Sequence, residues 1–368
     1  MPSEAALVQK DIDVAEISEA VTLHNVHEAT NRTEEEWIWE YTGYLPESYT
    51  YIIAKDQGKI IATQGMIPVF LNVSGKVVLS GKSESSLVDP RYRGGFVFKN
   101  IYDHALRRCR DKKMAFIWGF TPAVKVWRDK LGFTVHNCIH YAIRIICLSS
   151  ALSRFRRMPW TNRKKFVMCF LAIASFVYSL PWNFLQNFHP SLRKRTYSIE
   201  HNLRSSKDLQ ALYDRLRERY PGLIHIHQDD GYVTWRLTNN PYNRYEPCYV
   251  YQENELKGYS YTATSRKGDR GIINLTDFTV ENEDVGFFLL NHLHREWHEQ
   301  KAGVVYFLGN MTNTLTRRNF AVLGRFGFLK RRGQMAFVYT GLYDYLGNGL
   351  DVENCYINDL WTEGTELW

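Results

Sequence analysis

The chain has 368 residues, a net charge of +7, and 45% apolar and 14% aromatic residues. This length and composition predict two or more globular domains and exclude a disordered chain. The six cysteines are scattered without a C-x-x-C pair, which argues against a disulfide framework or a zinc site and favours a reducing compartment. The first residues are acidic and lack the apolar segment of a signal peptide, so we expect a cytoplasmic protein.

The first half alternates between strand and helix patterns. Apolar runs at 51–54 and 60–70 flank a Lys-Asp-Gln-Gly-Lys turn and predict a β-hairpin, and a second hairpin is predicted through 73–76. A helix from Val97 to Lys112, a buried strand at 115–120 and a second helix follow. An antiparallel meander that passes into a strand-helix-strand-helix unit indicates an α+β sheet.

The stretch from Glu84 to Phe98 reads as a strand, a glycine turn and the start of a helix. A helix N-terminus presents unpaired N–H groups, and glycines let a phosphate approach the backbone. Arg91 and Arg93 would add positive charge. The turn therefore predicts a pyrophosphate site, with an ordinary strand-to-helix turn as the alternative.

The motif V-D-P-R-Y-R-G-G at Val88–Gly95, with K-L-G-F at Lys130–Phe133, resembles the GCN5-related N-acetyltransferase (GNAT) family over about residues 35–140. The resemblance implies an acyl-CoA site whose pyrophosphate lies on this turn. The implied CoA-binding residues are Leu87, Val88, Arg91, Arg93, Gly94, Gly95, Phe96, Val97 and Phe98. The family pattern R-x-x-G-x-G/A is not kept, because Phe stands at its fourth and sixth positions; Phe96 or Phe98 could therefore face the pantetheine or an acyl chain.

The same resemblance implies direct attack of an amine on the thioester. Glu84 is the predicted general base, on one strand face with Ser86 and Val88 by simple alternation, and a solvated strand-end carboxylate is the alternative. The family often places a tyrosine as general acid in a position that is Arg128 here, so Arg128 would stabilise the leaving thiolate, or solvent would protonate it. Asp277 in the second half is a secondary acid/base candidate. No metal is expected.

The second half repeats the pattern of the first. Trp39 and Trp235 are 196 positions apart, and Leu131-Gly132-Phe133 is echoed at 326–328 with an offset of 195, which suggests a duplication. The second copy has Glu281-Asn282-Glu283-Asp284 where the first has its arginines and glycines, and these carboxylates would repel a pyrophosphate. We therefore predict two tandem GNAT-like domains, 1–150 with the acyl-CoA site and 201–368 on the acceptor side, each a mixed, mostly antiparallel sheet flanked by helices.

An uncharged apolar segment at 166–182 lies between the copies, within a basic region at 151–200. Its length is at the lower limit for a membrane span, and Pro181 is expected to break the end of the helix. A span would also separate the two halves across the membrane. An interfacial or re-entrant helix that contacts the membrane surface through 154–195 is favoured, and a helix buried between the domains is the alternative.

These features predict an acyl-CoA-dependent N-acyltransferase that uses acetyl-CoA or a long-chain acyl-CoA. The expected acceptor is an amphiphilic or lipid-linked amine: a sphingoid-type base, as for a ceramide synthase, or a lipid-linked amino sugar. We expect it at the inner face of the membrane, without nucleic acid. Three alternatives stay open: a soluble amino-sugar acetyltransferase, a Fem-like aminoacyl-tRNA-dependent ligase, and a non-catalytic membrane-associated binding module.

Overall fold

The computed structural model describes residues 7–158, 160–185, 197–266, 271–343 and 350–362. The chain forms two compact units, and each is assembled from segments that are distant in sequence. The first unit comprises Met1–Asn137, Ile226–Trp235 and Met335–Asp351. The second unit comprises Cys138–His225, Arg236–Gln334 and Val352–Trp368.

The strands within the described residues are, in chain order, β1 (Val8–Asp11), β2 (Thr50–Asp56), β3 (Lys59–Val73), β4 (Lys76–Val88), β5 (Phe116–Thr121), β6 (Thr134–His136), β7 (Ile139–Ile145), β8 (Tyr197–Glu200), β9 (Ile224–Ile226), β10 (Asn243–Gln252), β11 (Glu255–Ser265), β12 (Ile272–Val280), β13 (Val304–Asn310), β14 (Leu329–Arg332) and β15 (Ala336–Gly341). The α-helices there are α1 (Ile17–Glu28), α2 (Glu34–Thr42), α3 (Val97–Asp111), α4 (Val124–Leu131), α5 (Leu148–Arg157), α6 (Asn162–Leu185), α7 (Ser206–Arg219), α8 (Asp230–Val233), α9 (Glu283–Glu299) and α10 (Thr314–Arg325).

The sheet of the first unit has the strand order β1-β2-β3-β4-β5-β15-β6. The pairs along this order are antiparallel except for β4 and β5, which run parallel. Helix α3 packs its apolar face on this sheet through Ile101, Tyr102, Ala105 and Cys109, all fully buried. The i, i+3, i+4 spacing of these residues is the pattern that predicted the helix.

The sheet of the second unit has the order β14-β7-β13-β12-β11-β10-β8. It repeats the plan of the first, with one parallel pair, β12 and β13, among antiparallel neighbours. Helices α9 and α10 pack on this sheet around a core that contains Leu289, Leu293 and Leu323. The two mixed sheets with flanking helices confirm the α+β prediction of tandem GNAT-like folds, with an apolar helix between them in the chain.

The two sheets exchange a strand. Strand β7, from the first half of the sequence, pairs with β13 and β14 of the second sheet, while β15, from the end of the chain, lies between β5 and β6 of the first. Residues Ala336, Phe337 and Val338 of β15 are fully buried. The compact units therefore follow spatial pairing, whereas the predicted boundaries at 150 and 201 followed chain order.

Most local predictions agree with the structure. Both hairpins of the first half form, and α3 begins at Val97 as expected. The prediction that Pro181 breaks its helix is wrong, because Pro181 lies inside α6, which continues to Leu185. A proline removes one backbone N–H donor and bends its helix. Pro181 lies four residues before the end of α6, so the bend affects only its last turn.

Candidate active site

An opening between two parallel strands marks the candidate site in the first unit. Strands β4 and β5 pair at Ser80–Phe116, Gly81–Ile117 and Lys82–Trp118. Beyond Lys82, β4 continues to Val88 and β5 to Thr121, and the described residues show no further pair between these two strands. Beyond Lys82 this edge of β4 is therefore not covered by β5, and a ligand can enter at the carboxyl ends of the strands.

A β-bulge lies in β4 at the start of this opening. The register between β3 and β4 moves from Thr63–Leu87 to Gly65–Glu84, so β4 carries an extra residue there. Ser85 adopts φ +51°, in the left-handed region that non-glycine residues rarely enter. Such a conformation costs roughly 1–2 kcal/mol, and it persists only where the surroundings hold it.

A set of hydrogen bonds, the Ser85 clamp, holds the bulge from behind. The Tyr41 hydroxyl donates to Ser85 Oγ at 2.7 Å, and Thr63 Oγ1 donates to the Ser85 carbonyl at 2.8 Å. Because the Thr63 proton is used in that bond, His24 Nε2, 2.8 Å from Thr63 Oγ1, is the donor to it. Gly65 leaves room for the Tyr41 ring, since a Cβ there would lie 2.5 Å from the tyrosine oxygen. Helices α1 and α2 thus support the strand that borders the opening.

The bulge changes which side chains of β4 share a face. The Gln64 side chain donates to Ser83 Oγ at 3.0 Å and accepts from Ser86 Oγ at 2.5 Å. Simple alternation places Ser83 and Ser86 on opposite faces, so the prediction that Glu84 shares a face with Ser86 is wrong at this point. The extra residue at the bulge shifts the alternation by one.

Glu84 lies on the strand that borders the opening, and its side chain is 18% exposed. Its carboxylate contacts Nζ of Lys82, a residue that is almost fully buried. A partly exposed carboxylate on this strand can accept a proton from a group in the opening. The adjoining Leu87 and Val88 are buried on β4.

The loop after β4 leads directly into α3. Arg93 Nε donates to the Val88 carbonyl at 2.9 Å, and Gly94 has φ +83° with open space where a Cβ would stand. Arg91 is exposed and pairs with Asp89 at 2.6 Å, and the hydrogen bond from Arg91 lowers the pKa of Asp89 to about 2. Gly94 and Gly95 are both exposed.

The N-terminus of α3 has the features of an anion site. Phe96 occupies the N-cap position without a side-chain hydrogen bond, and the first turn contains no acidic residue. The positive end of the helix dipole therefore faces the loop uncompensated. Val97 is buried, and Phe96 and Phe98 are half-buried and pack against the core of the first unit.

The corresponding region of the second unit is closed. Strands β12 and β13 pair only as far as Asn274–Tyr306, but residues 352–361 lie against both strands beyond that pair. The Tyr356 hydroxyl donates to the Phe278 carbonyl at 2.7 Å, and the Asn310 N–H donates to the Ile357 carbonyl at 3.2 Å. The end of the chain thus occupies the position that stays open in the first unit.

Helix α9 differs from α3 at its start. The Asn282 side chain accepts from the Val285 N–H at 3.0 Å, and Glu283 and Asp284 follow in the first turn. Both features satisfy the helix N-terminus internally and oppose an anion. The start of α9 therefore lacks the features that made the start of α3 a predicted pyrophosphate site.

Two of the predicted catalytic residues stand outside β4 and the loop that follows it. Arg128 is exposed on α4 and pairs with Asp129 at 2.8 Å, while the adjacent Trp127 packs in the core. Asp277 belongs to the second sheet and is fully buried.

The Asp277 carboxylate is enclosed by hydroxyl donors. It accepts from Tyr259 at 2.6 Å and from Thr279 at 2.8 Å, and the Tyr356 hydroxyl oxygen lies 3.1 Å from it. Burial, and then the Asp277 charge, raise the pKa of Tyr259 well above its usual value. This arrangement holds the terminal segment onto β12.

Some residues of the site carry only a weak sequence signal. Tyr41, Thr63 and Gln64 stand on α2 and β3, and their partners on β4 are between 19 and 44 positions away. His24 on α1 bonds to Thr63, which is 39 positions away. The one local signal is the polar run Lys82-Ser83-Glu84-Ser85-Ser86, which precedes the apolar Leu87 and Val88 at the end of the strand. Among the described residues, His201, His292 and Glu296 of the second unit are the one group spaced for a metal ion, with ligand atoms within 4.8 Å of one another.

Comparison with known proteins supports this assignment of the fold. Residues 11–135 match the family model of the acetyltransferase (GNAT) domain. The fold is similar to that of a conserved protein of unknown function from Enterococcus faecalis V583, described as a probable N-acyltransferase. The TM-score is 0.60 at 11% identity, and the match covers 91% of this chain and 72% of the other. A GCN5-related N-acetyltransferase from Anabaena variabilis ATCC 29413 gives a TM-score of 0.56, 10% identity, and coverage of 92% and 73%.

Saccharomyces cerevisiae N-myristoyltransferase with bound myristoyl-CoA is also similar, with a TM-score of 0.55, 14% identity, and coverage of 92% of this chain and 79% of the other. No curated protein sequence matches the chain. At these identities the structural likeness establishes the fold, and the sequence match establishes the domain at 11–135.

Proposed function

We propose that this chain, whose residues 11–135 match the GNAT domain, transfers an acyl group from acyl-CoA to an amine at the opening between β4 and β5. The observation that carries this proposal is the juxtaposition, in one unit, of separated parallel strands, a bulged β4 and an α3 N-terminus without a cap. The loop 93–96 and the start of α3 would hold the pyrophosphate. The pantetheine would lie along 83–88 and bond to its backbone, and Arg91 and Arg93 would add positive charge.

The proposed reaction is a direct transfer. The amine nitrogen attacks the thioester carbonyl, the new C–N bond forms and the C–S bond breaks. Glu84 takes the proton of the amine, directly or through a water molecule. Backbone N–H groups of the bulged strand stabilise the oxyanion. Solvent returns a proton to the CoA thiolate, with Arg128 as the candidate that stabilises its charge; the enclosed Asp277 has no part in this scheme.

We propose further that the acceptor amine is lipid-borne, of the sphingoid or lipid-linked amino-sugar type, and that the acyl chain is long. Two observations support this finer proposal. Helix α6 carries exposed apolar side chains beside basic residues. A yeast N-myristoyltransferase that binds myristoyl-CoA has the same fold. Both favour a peripheral enzyme at the cytoplasmic face of a membrane over a soluble amino-sugar acetyltransferase.

A thermal-shift titration with CoA, acetyl-CoA and palmitoyl-CoA tests the co-substrate without knowledge of the acceptor. We expect all three to stabilise the protein, and palmitoyl-CoA to do so most, below its micelle threshold. Stabilisation by acetyl-CoA alone would favour amino-sugar acetylation. Absence of any shift would contradict the acyl-CoA proposal.

A matched pair of glycine variants tests the place of binding. Gly94 and Gly58 have φ +83° and +82°, and a Cβ would meet open space at both. Gly94→Ala and Gly58→Ala should therefore lose similar stability, about 1 kcal/mol. Only Gly94→Ala should weaken acyl-CoA binding, about tenfold or more, because its methyl group occupies the approach to the helix N-terminus. Equal binding by both variants would place the pyrophosphate elsewhere.

A further inference from the structure

The outer face of α6 is apolar and exposed. Phe166, Phe170, Ile173, Val177 and Leu180 recur at helical spacing and form one line, called here the outer stripe. Phe166 is 74% exposed and Phe170 is 62% exposed. Residues Asn162–Trp182 reach a mean hydropathy of 1.5 over an 18-residue window, of which only 17% is buried. The alternative of a helix buried between domains is therefore wrong.

The inner face of α6 packs on its own unit. Met168, Cys169, Ala172 and Phe176 lie in one cluster with residues of α5, β7 and β13. Near the other end, Ser179 is fully buried, and its Cβ lies 3.0 Å from where a Cβ on Gly327 would stand. A helix fixed along one face in this way cannot cross a bilayer without taking polar parts of the unit into the hydrocarbon. It can lie in the plane of an interface.

Positive charge is concentrated beside the outer stripe. Residues 130–199 contain eleven Lys and Arg and no Asp or Glu, whereas the whole chain has a net charge of +7, so the rest of the chain is net negative. The residues of this set near α6, called here the basic cluster, are Arg154, Arg156, Arg157, Arg163, Lys164 and Lys165. Arg193, Lys194 and Arg195 lie outside the described residues.

The part of the basic cluster at the start of α6 places positive charge beside the positive end of the helix dipole. Arg163, Lys164 and Lys165 stand in the first turn of α6, which contains no acidic residue. Cations at a helix N-terminus oppose the dipole, and anions there are stabilising. Lys164 Nζ lies 4.5 Å from the ring centroid of Trp160. Tryptophan is enriched at the headgroup level of membranes. A surface of phosphate groups would complement both the side chains and the dipole.

From this arrangement we infer that α6 is an interfacial helix that docks the protein on an anionic membrane surface. The outer stripe enters the acyl boundary, and the basic cluster contacts the headgroup phosphates. The inner face remains on the second unit throughout. This docking does not depend on acyl transfer, so its failure would leave the acyl-CoA proposal standing and would remove only one support for a lipid-borne acceptor.

Sedimentation with vesicles tests the inference on the full chain without acyl-CoA. The probes are phosphatidylcholine vesicles with and without 30% phosphatidylserine. Phe166→Ser/Phe170→Ser removes part of the outer stripe. Val26→Ser/Val77→Ser is its control, because it removes two exposed apolar side chains outside α6. Arg163→Gln/Lys164→Gln/Lys165→Gln removes half of the basic cluster.

We expect the wild type and the control to bind anionic vesicles, and Phe166→Ser/Phe170→Ser to bind at least tenfold more weakly with an unchanged melting temperature. The charge variant should lose roughly fivefold in affinity for each basic residue removed, and most of its preference for anionic lipid. The inference is overturned if the wild-type protein binds neither kind of vesicle. It is also overturned if Phe166→Ser/Phe170→Ser binds as well as wild type. Dimers that become monomers in the stripe variant, without vesicle binding, would assign the stripe to a second copy instead.

Discussion

The left-handed backbone of Ser85 predicts a stability difference between two substitutions that remove the same hydroxyl. Ser85→Ala and Ser85→Gly both lose the bond from Tyr41, but only glycine adopts φ +51° without steric conflict. Relief of that conflict is worth roughly 1–2 kcal/mol, and the freedom of glycine in the unfolded chain offsets roughly 0.4–1 kcal/mol. We expect Ser85→Gly to be the more stable variant by about 1 kcal/mol in urea unfolding followed by tryptophan fluorescence.

Activity should change in the opposite order. The freer backbone of Ser85→Gly no longer holds the bulge in one geometry, so its kcat should fall about tenfold below that of Ser85→Ala. Gln57 provides the control, since it has φ +49° in the turn between β2 and β3. Gln57→Gly should exceed Gln57→Ala in stability by a similar amount with no loss of activity. If Ser85→Ala is as stable as Ser85→Gly, or if Ser85→Gly is fully active, the bulge is neither strained nor required.

Three further outcomes are expected. Hydrogen bonds with Ser149 and Ser150 lower the pKa of Cys147 to about 7, whereas burial raises the pKa of Cys109 to about 12. Iodoacetamide at pH 7 should therefore label Cys147 well before Cys109. Peptide mass spectrometry measures the two rates, and equal labelling would refute this prediction. Because the pKa of Asp89 is lowered in the folded state, its ion pair with Arg91 stabilises above pH 4 and is lost as pH falls toward 2. Because Arg91 is exposed, solvent screening keeps this contribution small, and an Asp89→Asn variant that unfolds with the same pH dependence as wild type would contradict the prediction. Dialysis against EDTA should leave acyl transfer unchanged, since the site proposed on β4 uses no metal; a loss restored by Zn²⁺ would direct attention to His201, His292 and Glu296.

The duplication that the sequence suggested has a physical trace in the first unit. Trp39 and Trp235, the pair that marked the offset, stack with ring centroids 5.4 Å apart. Each indole N–H donates to the carbonyl of the other residue, at 3.1 Å and 2.7 Å. Two nearly equal offsets, 196 and 195, predicted the repeat, but offsets carry no information on which residues meet in space.

The sequence by itself determined the local elements and the character of the loop. Apolar spacing fixes the face that a helix or strand buries, so the hairpins, α3 and the α+β class followed from it. The contrast between Arg93-Gly94-Gly95 and Glu283-Asp284 was also local, because charge at a helix N-terminus acts within one turn.

Only the tertiary structure decided how these elements combine into a site. Backbone hydrogen bonds are the same for every residue type, so the sequence does not say that β7 and β15 change sheets, or that 352–361 closes the second opening. The bulge at Ser85 depends on hydroxyls from α2 and β3, and one extra residue there reverses the face of every later side chain. Exposure of the outer stripe of α6 likewise depends on what packs beside it, because the segment is apolar on both faces and periodicity cannot distinguish a buried helix from one that meets a membrane.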